Sequence, residues 1–248
     1  MTLRDILIIT RGTKVVIMIT FLVSVVAVLT AFFYYGSINR SEDPRIKDVR
    51  DILVRYDALP AHTDVTGRFS ILDLADSIIR SYPDYKNSFE TGVILNNKAG
   101  ALMMAALYDT SVSFIEKNNL LKLAMTYTDS SISVYRQWLD TWGYLGSNEV
   151  EKRVRAGMIP EDPAFTGMNY EKLIARRVKN LLTAQVETPR RLSVSLSNKG
   201  IIYRHIQKYD SAASCFTEAL SLWKANRVAR SNFNVLMGGK PQIGRAHV

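Results

Sequence analysis

The chain has 248 residues, of which 47% are hydrophobic, and its formal net charge is +9. This length and composition allow a sizeable core in one or two domains. The single cysteine, Cys215, excludes an intramolecular disulfide and any metal site built from several cysteines. Most of the basic excess lies in the C-terminal part, residues 149–248.

An uncharged apolar run near the N-terminus predicts a membrane-spanning helix over residues 15–35. About 20 apolar residues in a helix span the bilayer core. A secretory signal peptide is the alternative, but its apolar region has about 7–15 residues and ends at a cleavage site with small side chains. Phe32 to Tyr35 are instead typical of a membrane interface. We therefore expect an uncleaved signal anchor between a short tail, residues 1–14, and a polar linker, residues 36–45.

Basic residues on both sides of the span leave its orientation open. Cytoplasmic flanks are enriched in Lys and Arg, but Arg11 and Lys14 precede the span while Arg45 and Lys47 follow it. The short N-terminal tail favours a cytoplasmic N-terminus. In a bacterium this orientation places a single-pass protein in the inner membrane, with its C-terminal domain in the periplasm. Residues 15–35 would contact the lipid bilayer.

Apolar residues recur with helical spacing along the rest of the chain and predict an all-α fold. The segments with this spacing are residues 46–56, 69–82, 89–108, 119–142 and 169–186. The first four form a helical region, residues 46–142, and a loop-rich connection follows at residues 143–168. Thr188-Pro189 predicts the start of a separate helix, because proline is favoured in the first helical turn.

Residues 193–226 predict two amphipathic helices joined at residues 208–210. Small and aromatic residues match the tetratricopeptide signature in one register: Leu196, Gly200, Tyr203, Tyr209, Ala212, Phe216 and Ala219. The chain therefore resembles a tetratricopeptide repeat protein over this stretch. Gly200 and Ala212 are predicted to face each other, with Tyr209 filling the turn. An ordinary helical hairpin is the alternative interpretation.

The repeat departs from the family pattern at three positions. Lys199 stands where leucine is usual, Gln207 where a turn glycine is usual, and Lys224 where proline is usual. A weaker repeat is predicted within residues 46–142, since Leu95-Asn96-Asn97 echoes Leu196-Ser197-Asn198 at about three 34-residue periods. Two unrelated packed helices would explain the same pattern.

The predicted fold is thus an N-terminal transmembrane helix followed by a solenoid of helical hairpins similar to tetratricopeptide repeats, with residues 169–241 as its second part. In that family the ligand groove is lined mainly by first helices. The resemblance therefore implies binding positions at Asn96, Ser197, Ile201 and Arg204. Arg204 could meet a carboxylate of a partner. Ile201 stands where the family's carboxylate clamp needs a polar residue, which disfavours a receptor for peptide termini.

No catalytic constellation is present in the sequence. The three histidines lack metal-ligand spacing, and no phosphate-binding loop or nucleophile motif occurs. We therefore expect no enzyme activity, metal, cofactor or small-molecule substrate, and we interpret Asp73 and Asp76 as a solvated helix face. The basic residues 152–155 and 172–191 lack interleaved aromatics, so no nucleic acid is expected. An acidic protein, anionic lipid headgroups or solvent are the alternatives for this basic part.

The leading hypothesis is a membrane-anchored scaffold, similar to tetratricopeptide proteins, that binds a protein partner through its helical surface. The alternative is the sensor half of a truncated signalling protein whose C-terminal output domain, a kinase or a DNA-binding module, is missing. The alternative is motivated by residues 242–248, which match the translation of a common sequencing adapter. We therefore expect the natural chain to continue past about Pro241.

Overall fold

The computed structural model describes residues 11–39, 41–60 and 64–240. Within these residues the chain forms nine α-helices and no strand, which confirms the all-α prediction. The predicted adapter-derived end and most of the N-terminal tail lie outside the described residues.

Helix α1, Arg11–Asn39, contains the predicted membrane span. Its segment Arg11–Phe33 is long and apolar enough to cross a membrane, and none of that segment is buried against the rest of the protein. A signal sequence near the N-terminus can also be long and apolar enough to meet this criterion. The structure thus contains one N-terminal apolar helix whose large side chains, Phe21 and Phe32 among them, are exposed.

Eight further helices follow α1. Their bounds are α2 Pro44–Asp57, α3 Val65–Arg80, α4 Phe89–Tyr108, α5 Phe114–Trp138, α6 Ser147–Gly157, α7 Tyr170–His205, α8 Tyr209–Leu222 and α9 Arg227–Leu236. Six of these helices begin at a polar side chain that accepts a hydrogen bond from the first turn: Asp43, Asp64, Ser88, Ser113, Asn169 and Asn226. Such caps satisfy backbone N–H groups that have no partner inside the helix, and each stabilises it by about 1 kcal/mol.

The helices pack mainly against their neighbours in sequence. Contacts join α2 to α3, α3 to α4 and α4 to α5, then α5 to α7, α7 to α8 and α8 to α9. The short helix α6 packs on α7. The buried apolar residues accordingly form several clusters along the chain instead of one central core.

Two helix pairs approach closely at a glycine that lies under an aromatic ring. A Cβ atom on Gly200 of α7 would lie 2.5 Å from the Phe216 ring of α8. A Cβ atom on Gly92 of α4 would lie 2.3 Å from the Tyr135 ring of α5. Both rings are fully buried. The close approach predicted at Gly200 is therefore present, and its partner is the ring of Phe216.

The prediction of a helix start at Thr188-Pro189 is wrong. Helix α7 continues for 36 residues, with Pro189 inside it. A proline in a helix interior removes one backbone hydrogen bond and costs about 3 kcal/mol. Thr188 and Leu192, on either side of the proline, are buried, so packing on both sides favours one continuous helix.

The helix joint predicted at residues 109–118 is shorter in the structure. Helix α4 ends at Tyr108 and α5 already begins at Phe114, because the Ser113 hydroxyl accepts a hydrogen bond from the backbone N–H of Glu116. At its other end α5 passes into a π-helical turn, Leu139–Gly143.

Candidate functional site

The residues that carry the tetratricopeptide resemblance lie mostly inside the α7–α8 hairpin. Leu196, Ala212, Phe216 and Ala219 are buried and belong to one apolar cluster, with Tyr203 packed at its edge. The prediction for Tyr209 is wrong, because its side chain is 54% exposed and does not fill the turn. Tyr209 is the first residue of α8, at the surface end of the hairpin.

The turn between α7 and α8 explains one departure from the family pattern. Gln207 has φ of +61°, in the left-handed region that glycine adopts without steric cost. The backbone N–H of Lys208 donates to the Tyr203 carbonyl at 2.9 Å, and that of Gln207 donates to the Arg204 carbonyl at 3.1 Å. This bonding pattern ends a helix with a left-handed residue, so the position usually taken by glycine holds a strained glutamine.

Two of the four predicted binding residues are buried in internal hydrogen bonds. The Asn96 side-chain oxygen on α4 accepts from the Ser195 hydroxyl at 2.9 Å and from the Asn198 amide at 3.1 Å. The Ser197 hydroxyl donates to the Ser193 carbonyl at 2.8 Å. The expectation that Asn96 and Ser197 line an accessible groove is therefore corrected: these polar groups join α4 to α7 and hold α7 internally.

The other two predicted binding residues are only half-buried. Ile201 packs against apolar clusters on both sides of α7. Arg204 lies near the end of α7 and makes no ion pair with the described residues. The structure does not bring the four predicted residues together in one open groove.

A groove at one end of the helical domain, which we call the distal groove, is a candidate binding surface. It has a volume of about 700 Å³ and lies where α2 and α4 end and where α3 and α5 begin. Its apolar lining includes Tyr56, Val65, Met104, Ala105, Val112 and Leu120. With a rise of 1.5 Å per residue, Tyr56 is about 18 Å along α2 from Pro44, the first residue of that helix. The groove therefore lies at the end of α2 that is remote from α1.

The distal groove is open, apolar and acidic at its rim. Met104 is 59% exposed. Asp64, Asp109 and Glu116 line the groove with a single basic side chain, Arg68, which stacks over the Tyr56 ring. This rim disfavours anionic ligands and favours basic ones.

Three large exposed side chains adjoin the distal groove in sequence. Tyr108, Phe114 and Ile115 are 72%, 78% and 74% exposed. Tyr108 and Ile115 directly precede the groove residues Asp109 and Glu116, and Phe114 is next to Ile115. Large exposed apolar patches are rare on soluble monomers. Where they occur, they commonly mark interaction sites. This surface was not predicted from the sequence, although Tyr108 and the Phe114-Ile115 pair beside a short turn indicate it.

Asp73 is exposed, as a solvated helix face implies, whereas Asp76 is only partly exposed, and both carboxylates pair with Lys98. The buried ammonium of Lys98 lies 2.8 Å from Asp73 Oδ1 and 3.0 Å from Asp76 Oδ2. Burial alone would lower the pKa of Lys98, but the hydrogen bonds to both carboxylates outweigh it and raise that pKa above its ordinary value. A lysine held protonated cannot act as a nucleophile, so this cluster joins α3 to α4 as a structural ion pair.

Some basic side chains of the C-terminal part pair with neighbouring acids. Arg155 lies 2.7 Å from Glu171 Oε2, and Arg153 lies 3.1 Å from Glu149 Oε1. In the part of the chain that the structure describes, no group of three or more His, Cys, Asp or Glu side chains could hold a metal ion.

No family model, no curated protein and no solved structure matches this chain.

Proposed function

We propose that this chain is a membrane-anchored helical protein of the tetratricopeptide type that binds a partner protein through its helical surface. The distal groove carries this proposal, since it combines exposed apolar side chains with a cavity of about 700 Å³. The helical hairpins expose such a surface because each helix buries its apolar face mainly against its sequence neighbours.

The chemistry of the groove indicates the kind of partner. Apolar residues at its centre would contact the apolar face of a helix or an extended segment. The carboxylates of Asp64, Asp109 and Glu116 at the rim would pair with lysine or arginine side chains. The proposed occupant is therefore a basic, amphipathic segment of another protein, held close to the bilayer by α1.

Site-directed photocrosslinking in intact membranes tests this proposal. A photoreactive amino acid at position 104, inside the groove, should give one dominant crosslinked partner. The same amino acid at position 144 is the matched control, because Tyr144 is exposed but lies outside the groove. Equal crosslinking at both positions, or none at position 104, would refute the groove as a binding site.

Once the crosslink has identified the partner, its affinity for variants with a mutated groove provides an independent test. Met104→Glu should weaken binding by about 10- to 100-fold, because burying a methionine side chain contributes roughly 1.5–3 kcal/mol. Asp109→Asn combined with Glu116→Gln should reduce the salt dependence of binding. A partner whose affinity is the same for the parent chain and Met104→Glu does not use this groove.

A sensor half of a signalling protein is a second candidate, and the contacts of the segment after α1 favour it. Arg50 of α2 lies 2.6 Å from Glu90 of α4 and 2.6 Å from Glu42. Arg45 lies 3.0 Å from Asp43 and 3.1 Å from Asp162. These ion pairs fix the segment that follows α1 to the helical domain. Transmission of a signal between that domain and the membrane requires such a connection. Reading the source nucleotide sequence past the codon for Pro241 tests this candidate, because an output domain would carry its own motifs.

A further inference from the structure

A second cavity, which we call the arginine pocket, lies at the end of α2 that is close to the anchor. Its volume is about 380 Å³. Its wall contains three guanidinium groups and flat or apolar side chains, notably Arg45, Arg153, Arg177, Tyr85, Trp142 and Met158. Small-molecule sites have volumes of about 300–1,000 Å³ and are lined in this way, by apolar and aromatic side chains with a few charged groups.

Two of the three guanidinium groups are already neutralised. Arg45 pairs with Asp43 and Asp162. Arg153 pairs with Glu149, and it also donates to the backbone carbonyl of Thr141 at 3.0 Å. These contacts leave little positive charge on either residue for a ligand.

Arg177 is different, because no carboxylate among the described residues reaches ion-pair distance from it. Its guanidinium carbon lies 4.9 Å from the centre of the Tyr85 ring, and the side chain is half-buried. The nearest acids are committed elsewhere: Asp43 to Arg45 and the Tyr85 hydroxyl, and Glu90 to Arg50. Asp84 also lines the pocket but is exposed to solvent.

We propose that the arginine pocket binds a small carboxylate with a flat apolar body, and that Arg177 is the residue that holds the carboxylate. A planar guanidinium binds a carboxylate through two parallel hydrogen bonds. Arg177 makes no ion pair with the described residues, so its guanidinium can pair with one carboxylate, whereas a phosphate dianion would add a second negative charge beside Asp84, which lines the pocket, and near Asp43 and Glu90, which already interact electrostatically with Arg177. Tyr85 and Trp142 supply flat walls for the ligand's body.

This ligand would contact the connection to the membrane directly. Arg45 lines the pocket and also holds Asp43, the residue that caps α2 four positions after α1 ends. The inference goes beyond protein binding at the distal groove and departs from the expectation, drawn from the sequence, that the chain has no small-molecule site. Under the sensor hypothesis, the signal would be a small carboxylate.

Benzoate is a suitable probe, with benzamide as its neutral counterpart of the same shape. The full chain in lipid nanodiscs is titrated with each compound, and binding is followed by tryptophan fluorescence and by calorimetry against empty nanodiscs. Benzoate should bind saturably and benzamide at least tenfold more weakly, because only the carboxylate can form charge-assisted hydrogen bonds with Arg177. The fluorescence change should be lost in Trp142→Phe, since Trp142 is the tryptophan in the pocket wall.

Arg177→Gln should weaken benzoate binding tenfold or more. Lys179→Gln is the matched control, because it removes one positive charge from the same helix at an exposed position outside the pocket, and it should change the affinity less than twofold. If Arg177→Gln does not fold, Arg177→Lys keeps the charge and should bind benzoate more weakly than the parent. Absence of saturable benzoate binding, equal affinity for benzoate and benzamide, or parent-like affinity in a folded Arg177 variant would overturn the proposal. Photocrosslinking at position 104 is independent of all these outcomes.

Discussion

Replacing Gly200 by alanine should destabilise the α7–α8 hairpin through a steric conflict with Phe216. The new Cβ atom would lie 2.5 Å from the ring, a distance that carbon atoms in a folded protein do not tolerate. Phe216 is fully buried, so its ring has no free space into which to move. Overpacking of this kind costs about 1–3 kcal/mol.

Gly100 provides a matched control for this substitution. It lies inside α4, as Gly200 lies inside α7, and a Cβ atom there would meet no other atom within 4 Å. Alanine is favoured over glycine in a helix interior by about 1 kcal/mol. Gly100→Ala should therefore stabilise the protein, and the difference in unfolding free energy between the two variants isolates the steric cost at Gly200, roughly 1–3 kcal/mol.

Thermal unfolding of the full chain in detergent micelles, followed by circular dichroism, measures this difference. For a domain of this size about 1 kcal/mol corresponds to a change of roughly 2–4 °C in Tm. We expect Gly200→Ala to unfold about 2–12 °C below Gly100→Ala. Equal melting temperatures for the two alanine variants would refute the close approach of α7 and α8 at Gly200.

Three further substitutions test other contacts in the same assay. Gln207→Gly should stabilise the protein by about 0.5–1 kcal/mol, because glycine adopts the φ of +61° without strain. Asn226→Ala should destabilise it by roughly 2–3 kcal/mol, because the buried side chain caps α9 and donates to the Ser193 hydroxyl at 2.8 Å; an unchanged Tm would contradict this. Burial raises the pKa of Glu90, but the nearby Arg50 charge outweighs it and holds that pKa below its ordinary value. The resulting stability is complete at neutral pH and is lost as the pH falls below about 4. Glu90→Gln should therefore cost about 3 kcal/mol at pH 7 and weaken the acid dependence of Tm, and a parent-like acid profile would contradict this.

The sequence predicted the hairpin interior well because small and aromatic residues there obey a strict spacing. Gly200, Ala212 and Phe216 lie in the α7–α8 contact, as their positions in the signature implied. The equivalent approach of Gly92 to Tyr135 was not predicted, since the two residues belong to no common motif and meet only when α4 packs on α5. Close helix approach can thus be predicted from sequence where the contacting residues belong to one motif with fixed spacing.

The polar residues were harder to predict because a serine or asparagine on a helix suits both a groove and an interior. Asn96 and Ser197 were expected at an open surface, yet internal partners satisfy both side chains. Likewise Arg45 was read as a membrane flank, while in the fold it pairs with Asp162, which is 117 positions away in the chain. Such distant partners leave no local signal.

Helix α2 connects the two candidate sites in physical terms. Arg45 in its first turn lines the arginine pocket, and Tyr56 in its last turn lines the distal groove. Between them the Arg50–Glu90 ion pair fixes α2 to α4, whose C-terminal half supplies Met104 to the groove. A helix transmits displacement as a rigid element, so a ligand that moves the start of α2 relative to α4 must also change the shape of the groove. If the pocket and the groove are both occupied in the cell, each occupant must then change the affinity of the other by the same factor, because coupling between two binding sites is reciprocal.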